Sequence, residues 1–285
     1  GIEGLLDLEQ LSLNTTNVSE LGPIGSLSKL TNIEALNTRI RTLTGLINLK
    51  ELRRLNVDGT AVNQNEVKQL LNANPSIKIR FQTEALNRWW SGVSDDMKAV
   101  FRENVSLSAE PSSEELHELA SIMEVKVNGQ LNPDDLRSFD QLFRLEVLTL
   151  MRTGLSNLDM LPNVSSLKSL SITESPLSDL SSILKFKKLS KLDISNTAVT
   201  DLRPLSVLSD LKDLNFSGTT IKRIRGVESL LELEKVDCSN TRVSRFDELF
   251  QLPKLKHVVC FNSKLNSKDI ESLKESQPRV EVVFY

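Results

Sequence analysis

The amino-acid sequence predicts an α/β solenoid, built from short parallel strands joined by 3₁₀ or irregular return segments. Leucines recur every 22 residues through the C-terminal half of the chain, and other apolar residues keep fixed offsets from each of them. Two of these offsets lie two residues apart, as in a strand, and three lie three residues apart, as in 3₁₀ turns. Since a single repeat cannot bury its own apolar face, the repeats must stack on one another. The equivalent leucines are Leu145, Leu167, Leu189, Leu211, Leu233 and Leu255.

The repeat also has the L-x-x-L-x-L core that is typical of leucine-rich repeats. In the repeat that starts at Leu189, we expect Leu192 and Ile194 to point inward and Lys191 and Asp193 to point outward. The position eight residues after each leading leucine carries a hydroxyl group, for which we expect a hydrogen bond to the turn backbone. These hydroxyl residues are Thr153, Ser175, Thr197, Thr219, Thr241 and Ser263.

The chain divides into two predicted arrays of repeats with a helical segment between them. Residues 1–81 form the first array, residues 82–121 a helical linker or N-terminal cap, and residues 122–285 the second array. Each array ends in a helix followed by a short strand, and the two copies align. Asn63 is the predicted N-cap of the first helix and Asn266 that of the second, because a side-chain oxygen can accept from the first turn. We expect these modules to cover the open ends of the arrays.

The segment 82–121 has helical rather than repeat periodicity. Trp89 and Trp90 stand on a predicted helix, where we favour core packing at a domain junction over stacking against a ligand. Ser94 is predicted to begin a second helix, and the stretch Pro111–Glu115 to begin another, each with acidic residues in the first turn. One irregular repeat of 23 residues joins this unit to the second array.

Composition limits the classes of function. The chain is 39% hydrophobic and 26% charged, with a formal net charge of −3 and a pI near 5.7. These values argue against a nucleic-acid binder that works by neutralising phosphates. No apolar run is long enough to insert into a membrane, and no signal peptide is present. Because Ile2 falls in the middle of a repeat, we expect a further repeat to precede it.

The sequence contains no recognisable catalytic or metal-binding pattern. Phosphate-binding glycine loops, H-E-x-x-H, G-x-S-x-G and paired-cysteine motifs do not occur, so we expect a protein without enzymatic activity or cofactor. His117 and His257 lack the spacing of metal ligands. Cys238 and Cys260 occupy the same inward position in adjacent repeats. We expect two buried thiols there, in preference to a disulfide.

The outward face of the second array is the predicted binding surface. Its strands carry small polar side chains and alternating charges on what we expect to be the concave side of the solenoid. Met151 and Phe261, near the ends of the array, either anchor a ligand or pack under the adjoining caps. The candidate binding residues are Lys191, Asp193, Asp213, Asn215, Lys235, Asp237, His257 and Phe261.

Three kinds of role are compatible with such a face. The first is recognition of a protein partner, without nucleic acid and without membrane insertion. The second is adhesion to a carbohydrate or cell surface, with Asn, Asp and Ser side chains contacting sugar hydroxyls. The third is that of an architectural spacer within a longer polypeptide.

The repeat from Leu189 to Leu208 reads L-x-x-L-x-L-x-x-T-x-V-x-D-L-x-P-L-x-x-L and resembles the 22-residue class of bacterial internalin-like leucine-rich repeat proteins. It departs from that class in having Thr where Asn is often found. The segment from Asn87 to Asn104 is similar to helical segments that precede repeats in Bacteroidetes-type leucine-rich repeat proteins. The resemblance implies recognition of a protein or surface ligand, at an extracellular or cell-surface location, with the cytoplasm as the alternative.

Overall fold

The computed structural model describes residues 1–284, which contain two sheets of short strands. All strand pairs in both sheets are parallel. The first sheet consists of β1 (Gln10–Ser12), β2 (Asn32–Glu34), β3 (Arg54–Asn56) and β4 (Lys78–Arg80). The second consists of β5 (Glu124–Asn128), β6 (Val147–Met151), β7 (Ser169–Thr173), β8 (Lys191–Asp193), β9 (Asp213–Asn215), β10 (Lys235–Asp237), β11 (His257–Val259) and β12 (Glu281–Val283).

Five α-helices interrupt or follow these strands within the described residues. Elsewhere, short 3₁₀ helices such as Ser181–Phe186 and Arg203–Val207 bring the chain back from one strand to the next. The α-helices are α1 (Gln64–Ala73), α2 (Thr83–Gly92), α3 (Asp95–Asn104), α4 (Ser113–Ala120) and α5 (Ser267–Ser276).

The strand register confirms the predicted leucine-rich repeat solenoid. Leu192 pairs with Leu170 on one side and Leu214 on the other, so neighbouring strands are related by one 22-residue repeat. The inward side chains are buried, with Leu192 only 1% exposed. Strands β5 and β6 pair Glu124 with Val147, which is the step of 23 residues that the irregular repeat predicts.

The chain forms two compact units, each with its own core. The first comprises Gly1–Gly92 together with Leu107–Ser121, and the second comprises Val93–Ser106 together with the residues from Ile122 onward. Helices α2 and α4 therefore belong to the first unit and α3 to the second. The cap role expected for residues 82–121 stays a prediction.

In the first unit, α4 packs against α2 and β4. It begins within the predicted stretch, and its N-cap Ser112 accepts the backbone N–H of Glu115. The pKa of Glu115 is lowered to about 2, because its carboxylate accepts the backbone N–H groups of Ser112 and Ser108. His117 is buried, and its Nε2 accepts the Phe81 N–H at 3.0 Å. Histidine here joins a helix to the end of a strand and has a structural role.

In the second unit, α3 contacts β5. Ser94 is its N-cap, as predicted, and accepts the backbone N–H of Met97. At the other end, the amide of Asn104 bonds both the N–H and the carbonyl of Lys126, at 2.7 and 2.8 Å. This side chain occupies the position next to β5 that a further strand residue would otherwise fill.

The two predicted terminal modules have the same structure in both units. Asn63 accepts two backbone N–H groups of α1, and Asn266 accepts two of α5, which confirms both N-caps. The strands that follow, β4 and β12, are each the last strand of their sheet. In each module a polar side chain then bonds carbonyls of the preceding repeat, namely Asn74 to Leu52 and Gln277 to Phe250. Both modules therefore provide hydrogen-bond partners to the last turn of an array.

The column of hydroxyl groups makes the expected turn hydrogen bonds. Most members donate to the carbonyl three residues earlier, at 2.6 to 3.0 Å, and the same bond recurs in the first unit. Ser175 donates instead to the Thr173 carbonyl, and its oxygen accepts the N–H of Thr153. The donors of the recurring bond are Thr16, Thr38, Thr60, Thr197, Thr219, Thr241 and Ser263.

We expect Thr219→Val to lower the free energy of unfolding by about 1 kcal/mol, because the substitution removes a buried hydrogen bond to the Phe216 carbonyl while keeping the side-chain volume. Urea unfolding followed by circular dichroism measures the change. Thr220→Val, at the exposed neighbouring position, is the control and should have an effect below about 0.5 kcal/mol. Equal effects at the two positions would contradict the role given to the buried hydroxyl.

Cys238 and Cys260 are both buried and both free, as the sequence analysis favours. The pKa of the Cys238 thiol lies well above its ordinary value, because it is hydrogen-bonded to Cys260 and because it is buried. The Cys260 Sγ also lies 3.5 Å from the Val283 carbonyl. The two thiols pack as part of the core.

Candidate functional site

The polar face is our name for the outward side of strands β8 to β11 together with Phe261, two residues after β11. Parallel pairing places Lys191 beside Asp213, Asp213 beside Lys235, and Lys235 beside His257. A second row, one pleat further along, sets Asn215 between Asp193 and Asp237. Strand pairing thus brings seven of the sequence-predicted binding residues onto one face, and Phe261 is exposed two residues after the end of β11. The seven are Lys191, Asp193, Asp213, Asn215, Lys235, Asp237 and His257.

The second row has a structural role that the sequence analysis missed. The Oδ1 atoms of Asp193, Asn215 and Asp237 each accept the backbone N–H two residues later, at 2.9 to 3.0 Å. Such a bond fixes the turn at the end of each strand. The recurrence of Asp or Asn at a strand end is the sequence signal for it. Each of these side chains therefore holds the turn with its Oδ1 atom. The second carboxylate oxygen of the aspartates and the amide NH₂ of Asn215 take no part in that bond.

In the first row, Lys191, Asp213 and Lys235 alternate in charge and are unevenly paired, and His257 stands beside Lys235. Lys191 Nζ lies 3.6 Å from Asp213 Oδ2, and His257 Nδ1 lies 3.0 Å from Glu281 Oε2. Lys235 is exposed and has no ion pair within 4.0 Å among residues 1–284. Exposed pairs of this kind contribute little to folding stability, so these charges remain available for a ligand.

An apolar group lies at one end of the polar face. Phe261 is 41% exposed, which favours the anchor hypothesis over complete packing under the cap. Met151, at the other end of the array, is half-buried. Ser239 is buried beside this region, and its hydroxyl has no hydrogen-bond partner among the described residues.

The turn that follows each strand contains a residue with left-handed backbone, another feature missed in the sequence analysis. It falls seven residues after the leading leucine, where glycine and asparagine adopt positive φ most readily. The Asn262 amide donates to Asn240 Oδ1 at 2.8 Å, so side chains of this column also bond between repeats. The members are Thr15, Asn37, Gly59, Arg152, Glu174, Asn196, Gly218, Asn240 and Asn262, with φ between 50° and 70°.

The outward face of the first sheet differs because its charges are paired within its own unit. Lys78 Nζ contacts Glu114 at 2.7 Å and Glu118 at 3.1 Å, both on α4. The pKa of Glu114 is lowered by this hydrogen bond and charge, and the pKa of Lys78 is raised by the same contact. Asn56 likewise donates to Glu34 at 2.9 Å. The polar face of the second unit therefore has fewer of its charges engaged internally.

No helix within residues 1–284 has the length and hydrophobicity needed to cross a membrane. No group of three or more His, Cys, Asp or Glu side chains in the same range is placed to hold a metal ion.

Comparison with known proteins gives similarity to solved structures only. No family model matches the chain, and no curated protein matches it with significance. An internalin of Listeria monocytogenes is 21% identical, with a TM-score of 0.43, over 100% of this chain and 78% of that one. A second internalin of that organism is 20% identical, with a TM-score of 0.42, over 90% and 83%. A leucine-rich repeat protein of Leptospira interrogans is 18% identical, with a TM-score of 0.43, over 99% and 86%.

Proposed function

We propose that the polar face of the second unit is a recognition surface for a protein partner, and that the protein acts by binding rather than by catalysis. The observation that carries the proposal is the exposed Phe261 at the end of a line of alternating charges, one of which, Lys235, is unpaired. Aromatic anchors with charged groups around them are the usual centre of protein–protein interfaces.

The backbone under this face supports the same proposal. Each strand is fixed by its two neighbours and by the turn bonds of Asp193, Asn215 and Asp237. A surface that is already ordered loses little conformational entropy when a partner binds. Contacts made by this face would therefore contribute to affinity and selectivity without a large loss of conformational entropy.

The test begins with capture of partners on immobilised protein from extracellular and host-derived extracts, followed by purification of one partner. For that partner we expect Asp193→Asn with Asp237→Asn to raise Kd about tenfold, because two interfacial charges are lost. Asparagine keeps the Oδ1 acceptor, as Asn215 shows in the same row, so the melting temperature should stay unchanged. Calorimetry measures Kd for each variant.

The matched control is Asp210→Asn with Glu271→Gln, which removes the same charge from exposed positions outside the polar face. Its Kd should stay within about twofold of the parent. A partner bound equally by the parent and the polar-face variant would place the interface elsewhere. Binding of a glycan rather than a protein, with the same sensitivity to the two substitutions, would favour the adhesin hypothesis. If no ligand of either kind binds, the result would favour the spacer hypothesis.

An extracellular or cell-surface location is part of this proposal, and the internalin-like and Bacteroidetes-type resemblances of the sequence motivate it. Antibody detection on intact cells, before and after treatment with an external protease, tests the location. A signal found only after cell lysis would favour the cytoplasm.

A further inference from the structure

A group of seven exposed cations follows strands β9, β10 and β11 of the second unit. We call it the basic flank. Six of its residues belong to the turns between these strands and the next return segment, and Lys268 lies in the first turn of α5. They are Lys222, Arg223, Arg225, Arg242, Arg245, Lys264 and Lys268, all of them exposed.

These turns stack directly on one another. The Arg242 N–H donates to the Ile221 carbonyl at 3.0 Å, and the Lys264 N–H donates to the Val243 carbonyl at 2.9 Å. Neighbouring repeats are about 4.8 Å apart in such a stack. Cations on adjacent turns therefore lie within about one Debye length, roughly 8–10 Å, and act on a ligand together.

The basic flank has no internal counter-charge that pairs with it. Within residues 1–284, none of the seven cations has an ion pair inside 4.0 Å. Glu228, in the next 3₁₀ helix, and Asp269, in α5, each accept a backbone N–H, from Gly226 and Asn266 respectively, and form no ion pair with the seven cations. Asp247 and Glu248 begin the next 3₁₀ helix.

The preceding repeat shows the contrast. Its turn carries Asp201 and Arg203, joined at 2.7 Å, and the pKa of Asp201 is lowered by that hydrogen bond. One repeat further along, Arg223 replaces the acid at the equivalent position. Basic residues thus begin with this repeat and recur after the next two strands, where Asp247 and Glu248 accompany Arg242 and Arg245.

The surroundings of these cations indicate which kind of anion fits. The turns 220–228, 242–248 and 264–268 expose no aromatic and no large apolar side chain. A protein partner normally needs apolar anchors, and single-stranded nucleic acid needs aromatic groups for base stacking. A linear polymer with sulfate or carboxylate groups needs neither, since guanidinium groups bind such anions directly.

We propose that the basic flank binds an anionic polysaccharide, through its sulfate or carboxylate groups. Among the polar-face residues only Phe261 lies on one of these turns, so a partner on the strand residues of that face and a polysaccharide on this flank can bind separately. The inference goes beyond the proposed protein recognition and does not depend on it.

The test uses a heparin-derived octasaccharide as the probe, with binding measured by calorimetry at several salt concentrations. We expect the parent to bind and Arg223→Gln with Arg245→Gln to raise Kd about tenfold, with a shallower dependence of log Kd on log salt. Lys187→Gln with Lys188→Gln removes the same charge from exposed positions outside the flank and should change Kd by less than about twofold. Circular dichroism checks that each variant is folded.

Asp193→Asn with Asp237→Asn, on the polar face, should leave octasaccharide binding unchanged, which separates this proposal from the previous one. Absence of octasaccharide binding, or an equal loss in the Lys187 and Lys188 control, would overturn the proposal. So would tighter binding of a short DNA duplex or of polyglutamate than of the octasaccharide at the same salt concentration. Should the double variant unfold, Lys222→Gln with Lys264→Gln replaces it.

Discussion

Replacing Leu192 with Asp should lower the free energy of unfolding by about 3–5 kcal/mol, because it places a carboxylate among apolar side chains that offer no partner. Leu192 is 1% exposed and lies in register between Leu170 and Leu214. Each of these neighbours belongs to a repeat that depends on the next for its burial. We therefore expect the loss to extend to adjacent repeats, which is visible in urea unfolding followed by circular dichroism.

Leu184→Asp is the control, in the return segment of the preceding repeat. Leu184 is 55% exposed, so the same chemical change should shift the unfolding free energy by less than about 0.5 kcal/mol. A Leu192→Asp protein that unfolds at the midpoint of the parent would show that this position does not face the core. The pair of variants thus separates the effect of position from the effect of the substitution.

Gly226→Ala should be the second most damaging substitution, with a loss of about 3 kcal/mol. Gly226 has φ of 98°, a conformation that costs an L-residue about 1–2 kcal/mol. An added Cβ would also lie 2.6 Å from the Cα of Arg203 and 2.9 Å from the carbonyl oxygen of Leu202. Both are backbone atoms of the preceding repeat, so the contact is relieved only if two repeats move apart.

Two further glycines divide that loss into its parts. Gly129 has φ of 124° with nothing within 4 Å of an added Cβ, so Gly129→Ala reports the backbone strain alone. Gly92, with ordinary φ and open space, should tolerate alanine at no cost. Equal unfolding free energies for the Gly226 and Gly129 variants would show that the close approach between repeats is unimportant.

The sequence was sufficient to predict the strands and the inward residues, because the 22-residue spacing links every turn to its neighbour. Leu192, Cys238 and Cys260 are buried where the repeat predicts them. The N-caps at Asn63 and Asn266 were predictable for another reason, since a cap is a local interaction between residues close in sequence. Periodicity and hydrogen bonding between residues close in sequence are therefore the two features of a fold that one amino-acid sequence predicts well.

Features that depend on contacts between distant parts of the chain were not predictable in this way. The ion pairs of Lys78 with α4 join residues 36 and 40 positions apart and follow no repeat. The burial of His117 against Phe81 depends on where that helix packs. By contrast, the turn bonds of Asp193 and Asp237 are local, and the recurring Asp or Asn at the strand ends could have revealed them.

The uniform step between strands β7 and β11 has an evolutionary consequence. The strand pairs in that stretch join residues one repeat apart, and the second helix–strand module bonds the last turn of its array through Gln277. Duplication or loss of one whole repeat would leave each neighbour with an equivalent neighbour. Each such event would lengthen or shorten the polar face by about 4.8 Å and leave the ends of the array intact. The reach of the binding surface can therefore diverge among descendants faster than the fold that carries it.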